Sequence, residues 1–314
     1  MGLNINRQIN RNTGVTNNLV IYILLILLAF SMLLPMIVLI STSFKNEKEA
    51  LKSELDFIPE HPTLNNYSKV WQEIKMGRAF INSLIVSLII VSGQLLTCSM
   101  AAFAFARLKF PWRDKIFFCY IATMMIPAAV IMIPVFILTN NIPTFLNAAF
   151  SPGDKIFSAD LFFKGTIYLG RIAGINSYFA LVSQGLFSAW GTFMLRQFFL
   201  SIPKDLEDAA RLDGCGLWRI YCHVIIPLSK PALATLGIFV FIGAWKDFMW
   251  PLIVTTRQDI MTLPVVLQLL QGEISTDWEV LMAGMVIALL PTIIIFMLGQ
   301  RYFINGIQMG ALKG

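Results

Sequence analysis

The sequence predicts an all-α integral membrane protein with about six transmembrane helices, on the strength of its composition, its apolar runs and the placement of its charges. Of 314 residues, 57% are hydrophobic and only 13% charged, which is too apolar for an ordinary soluble domain. In hydrocarbon every backbone N–H and C=O must find a partner within the spanning segment, so a run of about 20 apolar residues crosses as a helix. The alternation of a transmembrane barrel is not visible.

Apolar runs of spanning length lie at 19–41, 80–104, 116–139, 177–198, 231–254 and 280–300. The first follows Arg7 and Arg11, but its stretch from Leu19 to Ile40 is too long for the core of a signal peptide and no A-x-A-like site follows. It is read as an uncleaved first helix.

Basic residues orient the bundle, because short loops rich in Lys and Arg stay cytoplasmic. The 105–115 loop sets Arg107, Lys109, Arg113 and Lys115 against Asp114, and the 301–314 tail adds Arg301 and Lys313. Both termini are expected in the cytoplasm, with segments 42–79, 140–176 and 255–279 outside. The chain therefore divides into a cytoplasmic segment 1–18, a transmembrane domain 19–300 and a cytoplasmic tail 301–314. The net charge of +6 faces anionic lipid and requires no nucleic acid. Cys98, Cys119, Cys215 and Cys222 form no C-x-x-C pair, and His61 and His223 fall on opposite sides of the expected membrane. Neither a disulfide framework nor a metal site is expected.

The loop at 199–230 reads as a device. Ser201 and Pro203 are of the types that open a helix, and Asp205, Glu207 and Asp208 follow where the helix dipole favours acids. Leu206, Ala209 and Ala210 give it a smooth face. Gly214 and Gly216 end it, and Leu217 to Val224 reads as a second short helix stopped before Pro227. Small residues flanked by acids suit a groove on another protein; an ordinary capped hairpin is the plain alternative.

The run from Asp208, Ala209 and Ala210 through Asp213 to Gly214, then Val224 to Pro227 after nine residues, resembles the E-A-A-x3-G-x9-I-x-L-P signature of ABC-importer permeases. Asp208, Val224 and Ile226 depart from it conservatively. Further stretches resemble the MalG-like inner-membrane subunits of carbohydrate importers: Asn82 to Leu84, Ala101 to Pro111, Leu195 to Lys204, Pro227 to Ala232, Trp250 to Leu252 and Gly306 to Gly314. The resemblance implies a bacterial inner-membrane permease that forms half of a translocation path for a sugar or oligosaccharide. It implies a second permease subunit, a cytoplasmic ATPase dimer and an external solute-binding protein as partners. The loop would be the coupling helix, docking on the ATPase through Glu207, Asp208, Ala209, Ala210, Asp213, Gly214, Gly216 and Pro227. No G-x-x-x-x-G-K-[ST] occurs, so no ATP site, cofactor or enzymatic activity is expected on this chain, and ATP and Mg would sit on the partner.

Lys246 and Asp247 lie inside the fifth span, where each charge costs about 2.5–3.5 kcal/mol. With Trp245 and Trp250 they are candidates for the path, together with Asn82 and Gln184; amides and hydroxyls here, including Ser83, Ser87, Gln94 and Ser188, equally serve as glue between helices. Lys246 departs from the family's W-N-D or W-N-E. A glycerol-phosphate importer of the same family is the alternative substrate class. An ion-coupled secondary transporter is disfavoured because no paired repeat of spans is seen.

Overall fold

The computed structural model describes residues 3–51, 56–72, 76–150, 160–163, 167–271 and 277–311. It resolves into two compact units, Met1–Ile74 with Leu270–Ile287, and Lys75–Leu269 with Ala288–Gly314.

The first unit is built on α1 (Leu3–Ser43), whose apolar stretch Ile21–Ser43 is long enough to span a membrane. Its side chains from Ile21 to Leu33 are mostly exposed, as a lipid-facing helix requires. The short helices α2 (Glu47–Ala50) and α3 (Asn65–Gln72) follow. Asn66 ties α3 to the end of α1 by donating to the Ser43 and Lys45 carbonyls at 2.9 and 2.8 Å. The Ser43 and Tyr67 hydroxyls, 2.7 Å apart, and the Thr63 N–H, which donates to the Phe44 carbonyl at 2.9 Å, add to that tie.

In the second unit the longest element is α4 (Met76–Arg107), followed by α5 (Arg113–Ala122) and α6 (Ala128–Phe150). The expected third span at 116–139 is not one helix. Ile126, preceding Pro127, is driven to extended backbone (φ −83°, ψ 118°), since the proline ring disfavours α geometry at the residue before it. The continuous apolar helix is α6, which carries Pro134 and Pro143 internally and extends into the 140–176 segment. Further along that segment β1 (Asp160–Phe163) and β2 (Ile167–Arg171) pair as a two-stranded antiparallel sheet.

The expected fourth span also breaks, into α7 (Tyr178–Ser183), a turn at Gln184–Leu186, and α8 (Ala189–Ser201). The Ser188 hydroxyl caps α8, accepting from the Gly191 N–H at 3.1 Å. Carbonyls freed by the break take partners from α4: Gln94 donates to Gly185 at 2.7 Å and Thr97 to Leu186 at 2.7 Å. Broken backbone at membrane depth needs such compensation. The 199–230 loop itself holds α9 (Asp205–Leu212), α10 (Leu217–Ile220) and α11 (Ile226–Leu228).

The fifth span is α12 (Lys230–Lys246), interrupted at Asp247 and resumed as α13 (Met249–Val254). Then follow α14 (Leu263–Leu269) and α15 (Trp278–Ala311), of which Trp278–Gln300 is of spanning length. Among the described residues, four helices are long and apolar enough to cross a membrane, or five if the pair Leu217–Leu228 and Lys230–Lys246, bent by 76°, counts as one broken span. Apart from the small β1–β2 sheet, the fold is the helical membrane architecture the sequence predicts, with three of its six apolar runs broken.

The core of this unit lies where α4 packs along α8 and α12. Gly191 permits that approach. A Cβ there would stand 3.1 Å from both Cys98 Sγ and Leu236 Cδ1, contacts from α4 and α12 on the same face.

Candidate functional site: the 199–230 loop and the broken fifth helix

Ser201 does not open α9; its hydroxyl donates back to the Phe198 carbonyl at 2.7 Å, closing α8, and Lys204 takes the N-cap position of α9 without a side-chain hydrogen bond. The N-terminal charge of α9 comes from Asp205, Glu207 and Asp208 as expected. Gly214 ends it at φ +80°, with nothing within 4 Å of the Cβ position. Left-handed backbone, rather than crowding, is therefore the reason for glycine at 214. The closing bonds run from Gly214 N–H to the Arg211 carbonyl at 3.0 Å and from Cys215 N–H to that of Ala210 at 2.9 Å.

Pro227 does not stop the second short helix. The chain passes from α10 through a π-helical turn at Tyr221–Ile225 into α11, which contains Pro227. Proline has no N–H to offer the carbonyl one α-turn back, and a wider turn absorbs that loss. The turn is anchored on α4 by Tyr221, whose hydroxyl lies 2.7 Å from that of Ser99 and whose ring packs against Phe103.

Glu207 departs from the expected outward set. Its side chain is buried, with Oε1 2.6 Å from Nε of Arg107, the last residue of α4. The two atoms touch off the N–H direction, so the contact is one of charge rather than an aligned hydrogen bond. Nη2 of Arg107 donates to the carbonyls of Phe199 at 2.6 Å and Ile202 at 2.7 Å. One guanidinium thus joins the end of α4, the end of α8 and the first turn of α9. Asp208, Ala209, Asp213, Gly214, Gly216 and Pro227 are exposed, and Ala210 half-buried. Leu212, at 90% exposure, Leu217 and Trp218 stand out beside them. These large apolar side chains escaped the sequence reading because periodicity alone assigns such residues to the core.

The residues proposed for a path separate into two groups. Trp245, Trp250 and Asn82 are buried and bonded within the unit. Indole N–H groups donate from Trp245 to the Ala288 carbonyl at 2.9 Å and from Trp250 to Ala180 at 2.8 Å. Trp245 stacks on Phe241 and meets Phe80 edge-on. Asn82 donates to the carbonyls of Asp259 and Met261 at 3.0 and 2.9 Å and accepts from the Tyr178 hydroxyl at 2.6 Å. The indole and amide N–H groups named here are thus spent on partners within the unit. Gln184 and Lys246 are exposed.

Asp247 is exposed with them but also lines a cavity, of about 370 Å³, with Gln94, Gly185, Trp190, Phe239 and Gly243. It sits at the α12–α13 break, within reach of the backbone amides of Phe248 and Trp250.

Among the described residues, Glu49, Glu60 and His61 bring ligand atoms within 4.8 Å of one another and form a group that could hold a cation. The His61 backbone N–H already donates to Glu49 Oε1 at 3.2 Å, which draws the group together without an ion.

Residues 93–308 match the family described as binding-protein-dependent transport system inner membrane component. The chain is 30% identical over 290 residues to an arabinooligosaccharides transport system permease protein of Halalkalibacterium halodurans, covering 91% of this chain and 93% of that one. It is 34% identical over 283 residues to a putative ABC transporter permease protein of Caldicellulosiruptor sp., covering 89% and 91%. Its fold is similar to a chain in the crystal structure of a bacterial ABC transporter involved in the import of the acidic polysaccharide alginate. That similarity has a TM-score of 0.74 at 23% identity over 94% of this chain and 97% of that one. With a family match across most of its length and these relatives, the chain belongs to the inner-membrane permease components of binding-protein-dependent transport systems.

Proposed function

We propose that this chain is one of two permease subunits of an ATP-driven importer of sugars or oligosaccharides, set in the bacterial inner membrane with both termini in the cytoplasm. The observation that carries the reading is the loop after α8: a short helix with exposed acids and small residues, a left-handed glycine turn, and the apolar side chains Leu212, Leu217 and Trp218 exposed beside it. Exposed apolar groups ringed by polar ones mark a protein interface. A cytoplasmic ATPase dimer is the partner that fits, with ATP and Mg bound there and no cofactor on this chain.

The mechanism is a rigid-body switch. A binding protein delivers the sugar, the two permeases enclose it, and ATP binding and hydrolysis alternate the opening. This chain does no covalent chemistry; α9 receives the movement of the ATPase and Arg107 passes it to α4 and α8. The likeness to an arabinooligosaccharide permease supports a sugar as cargo.

The test is purification in mild detergent, with mass spectrometry of the co-purifying chains and an ATPase assay. Recovery of a P-loop ATPase and a second permease, with hydrolysis stimulated by a sugar-loaded binding protein, is the expected result. A stable chain recovered alone, without hydrolysis, overturns the reading.

A further inference from the structure

We propose that the cavity bounded by α4, the 184–186 turn, α8 and α12 is a binding site for an uncharged sugar ring. The proposal rests on the permease reading and adds to it a location and a substrate class.

The volume, about 370 Å³, lies at the lower end of small-molecule sites and suits one ring of a longer chain. Trp190, in the first turn of α8, and Phe239 of α12 meet edge to face with centroids 5.6 Å apart. Both are more than a third exposed. They offer a broad apolar surface for the C–H face of a sugar, and the indole N–H adds a donor at its edge. Two polar groups complete the lining. Gln94 spends one amide hydrogen on the Gly185 carbonyl, which leaves its second N–H and its oxygen for hydroxyl groups. The carboxylate of Asp247, which faces the backbone amides of Phe248 and Trp250, keeps lone pairs that can accept from a sugar hydroxyl. Gly185 and Gly243 keep part of the wall bare, and at Gly243 a Cβ would meet nothing within 4 Å.

Charge selects among sugars. Among the described residues that line the cavity, Asp247 alone is ionisable. The neighbouring Lys246 is exposed and outside the lining. A carboxylate, sulfonate or phosphate held beside the Asp247 carboxylate meets a like charge, and no cationic side chain lines the cavity to offset it. The cavity therefore takes neutral sugars and rejects anionic ones.

The experiment uses the assembled transporter in lipid nanodiscs without its binding protein, so that selectivity of delivery does not enter. Equilibrium dialysis compares a neutral trisaccharide panel (maltotriose, cellotriose, arabinotriose) with trigalacturonate. The wild type is expected to bind at least one neutral sugar about tenfold or more tighter than the acid. Trp190→Ala is expected to weaken neutral binding about tenfold. Gly243→Leu, at a position with room for a side chain, does the same by filling the cavity. Asp247→Asn narrows the neutral preference to within about threefold. Equal affinity of the wild type for neutral and acidic sugars overturns the proposal, as does neutral binding that neither Trp190→Ala nor Gly243→Leu changes, or no sugar binding at all. If the transporter still couples hydrolysis to sugar uptake in those cases, only the site is wrong. If no sugar stimulates hydrolysis, the permease reading fails with it.

Discussion

Arg107 and Glu207, distant in the chain, bring a guanidinium and a carboxylate to 2.6 Å with both side chains almost fully buried. Arg107 ends α4, and Glu207 lies in the first turns of α9, so the contact binds the loop helix to the core. Arg107 also holds the last carbonyls of α8. Since α4 carries Gln94 and α8 carries Trp190, the cavity and the loop helix connect through the same two elements.

Glu207→Ala leaves a buried guanidinium without its counter-charge and is expected to cost about 3 kcal/mol or more, read as a lower melting temperature in detergent. Arg107→Met with Glu207→Met removes both charges and recovers most of that stability. If the pair transmits motion, the double variant still moves less sugar per ATP hydrolysed. Full recovery of that ratio assigns the pair to stability alone.

At Gly214 any L side chain is strained by the positive φ but meets no neighbour. Gly214→Ala is expected to lose about 1 kcal/mol and to keep sugar-stimulated hydrolysis. Gly214→Asp carries the same backbone strain and adds a charge at the docking turn, so it inserts in the membrane yet uncouples hydrolysis from uptake. Normal uptake by Gly214→Asp removes the turn from the proposed interface.

Leu212 and Trp218 are exposed in this chain. Leu212→Asp and Trp218→Ala are expected to change its own stability by no more than about 0.5 kcal/mol. Recovery of the ATPase partner in pull-down falls about tenfold. A loss of stability without loss of the partner contradicts the docking assignment.

Trp245→Phe and Trp250→Phe each remove an indole N–H that donates to a carbonyl, at Ala288 and Ala180 respectively. Each is expected to destabilise the chain by about 0.5–1.5 kcal/mol while the KM for sugar stays within about twofold. A selective rise in KM with unchanged melting temperature returns these tryptophans to the translocation path.

Much of the loop was legible because its signals are local. Asp205, Glu207 and Asp208 at a helix start and Gly214 at its end are read from neighbours in sequence, and α9 falls between them. What the residues face is not local. Glu207 has the same charge and almost the same position as Asp208, yet a helical turn places it toward Arg107 while Asp208 remains exposed. Pro227 read as a stop, because the π-helical turn that carries the chain past it has no signature in side-chain periodicity.

Composition and the run of apolar segments determined by themselves that this chain lies in a membrane as helices, since hydrocarbon leaves the backbone no other partner. The charge and glycine pattern also located the loop, the acids that start α9 and the glycine that ends it. Only the tertiary structure decided where the apolar runs break, because a break is stable only where side chains from another helix, such as Gln94 and Thr97, take up the freed carbonyls. It likewise separated Trp245, Trp250 and Asn82, whose polar atoms are spent inside the core, from Asp247, which faces a cavity. Hydrogen-bond partners far apart in sequence make that distinction, and a linear pattern carries no record of them.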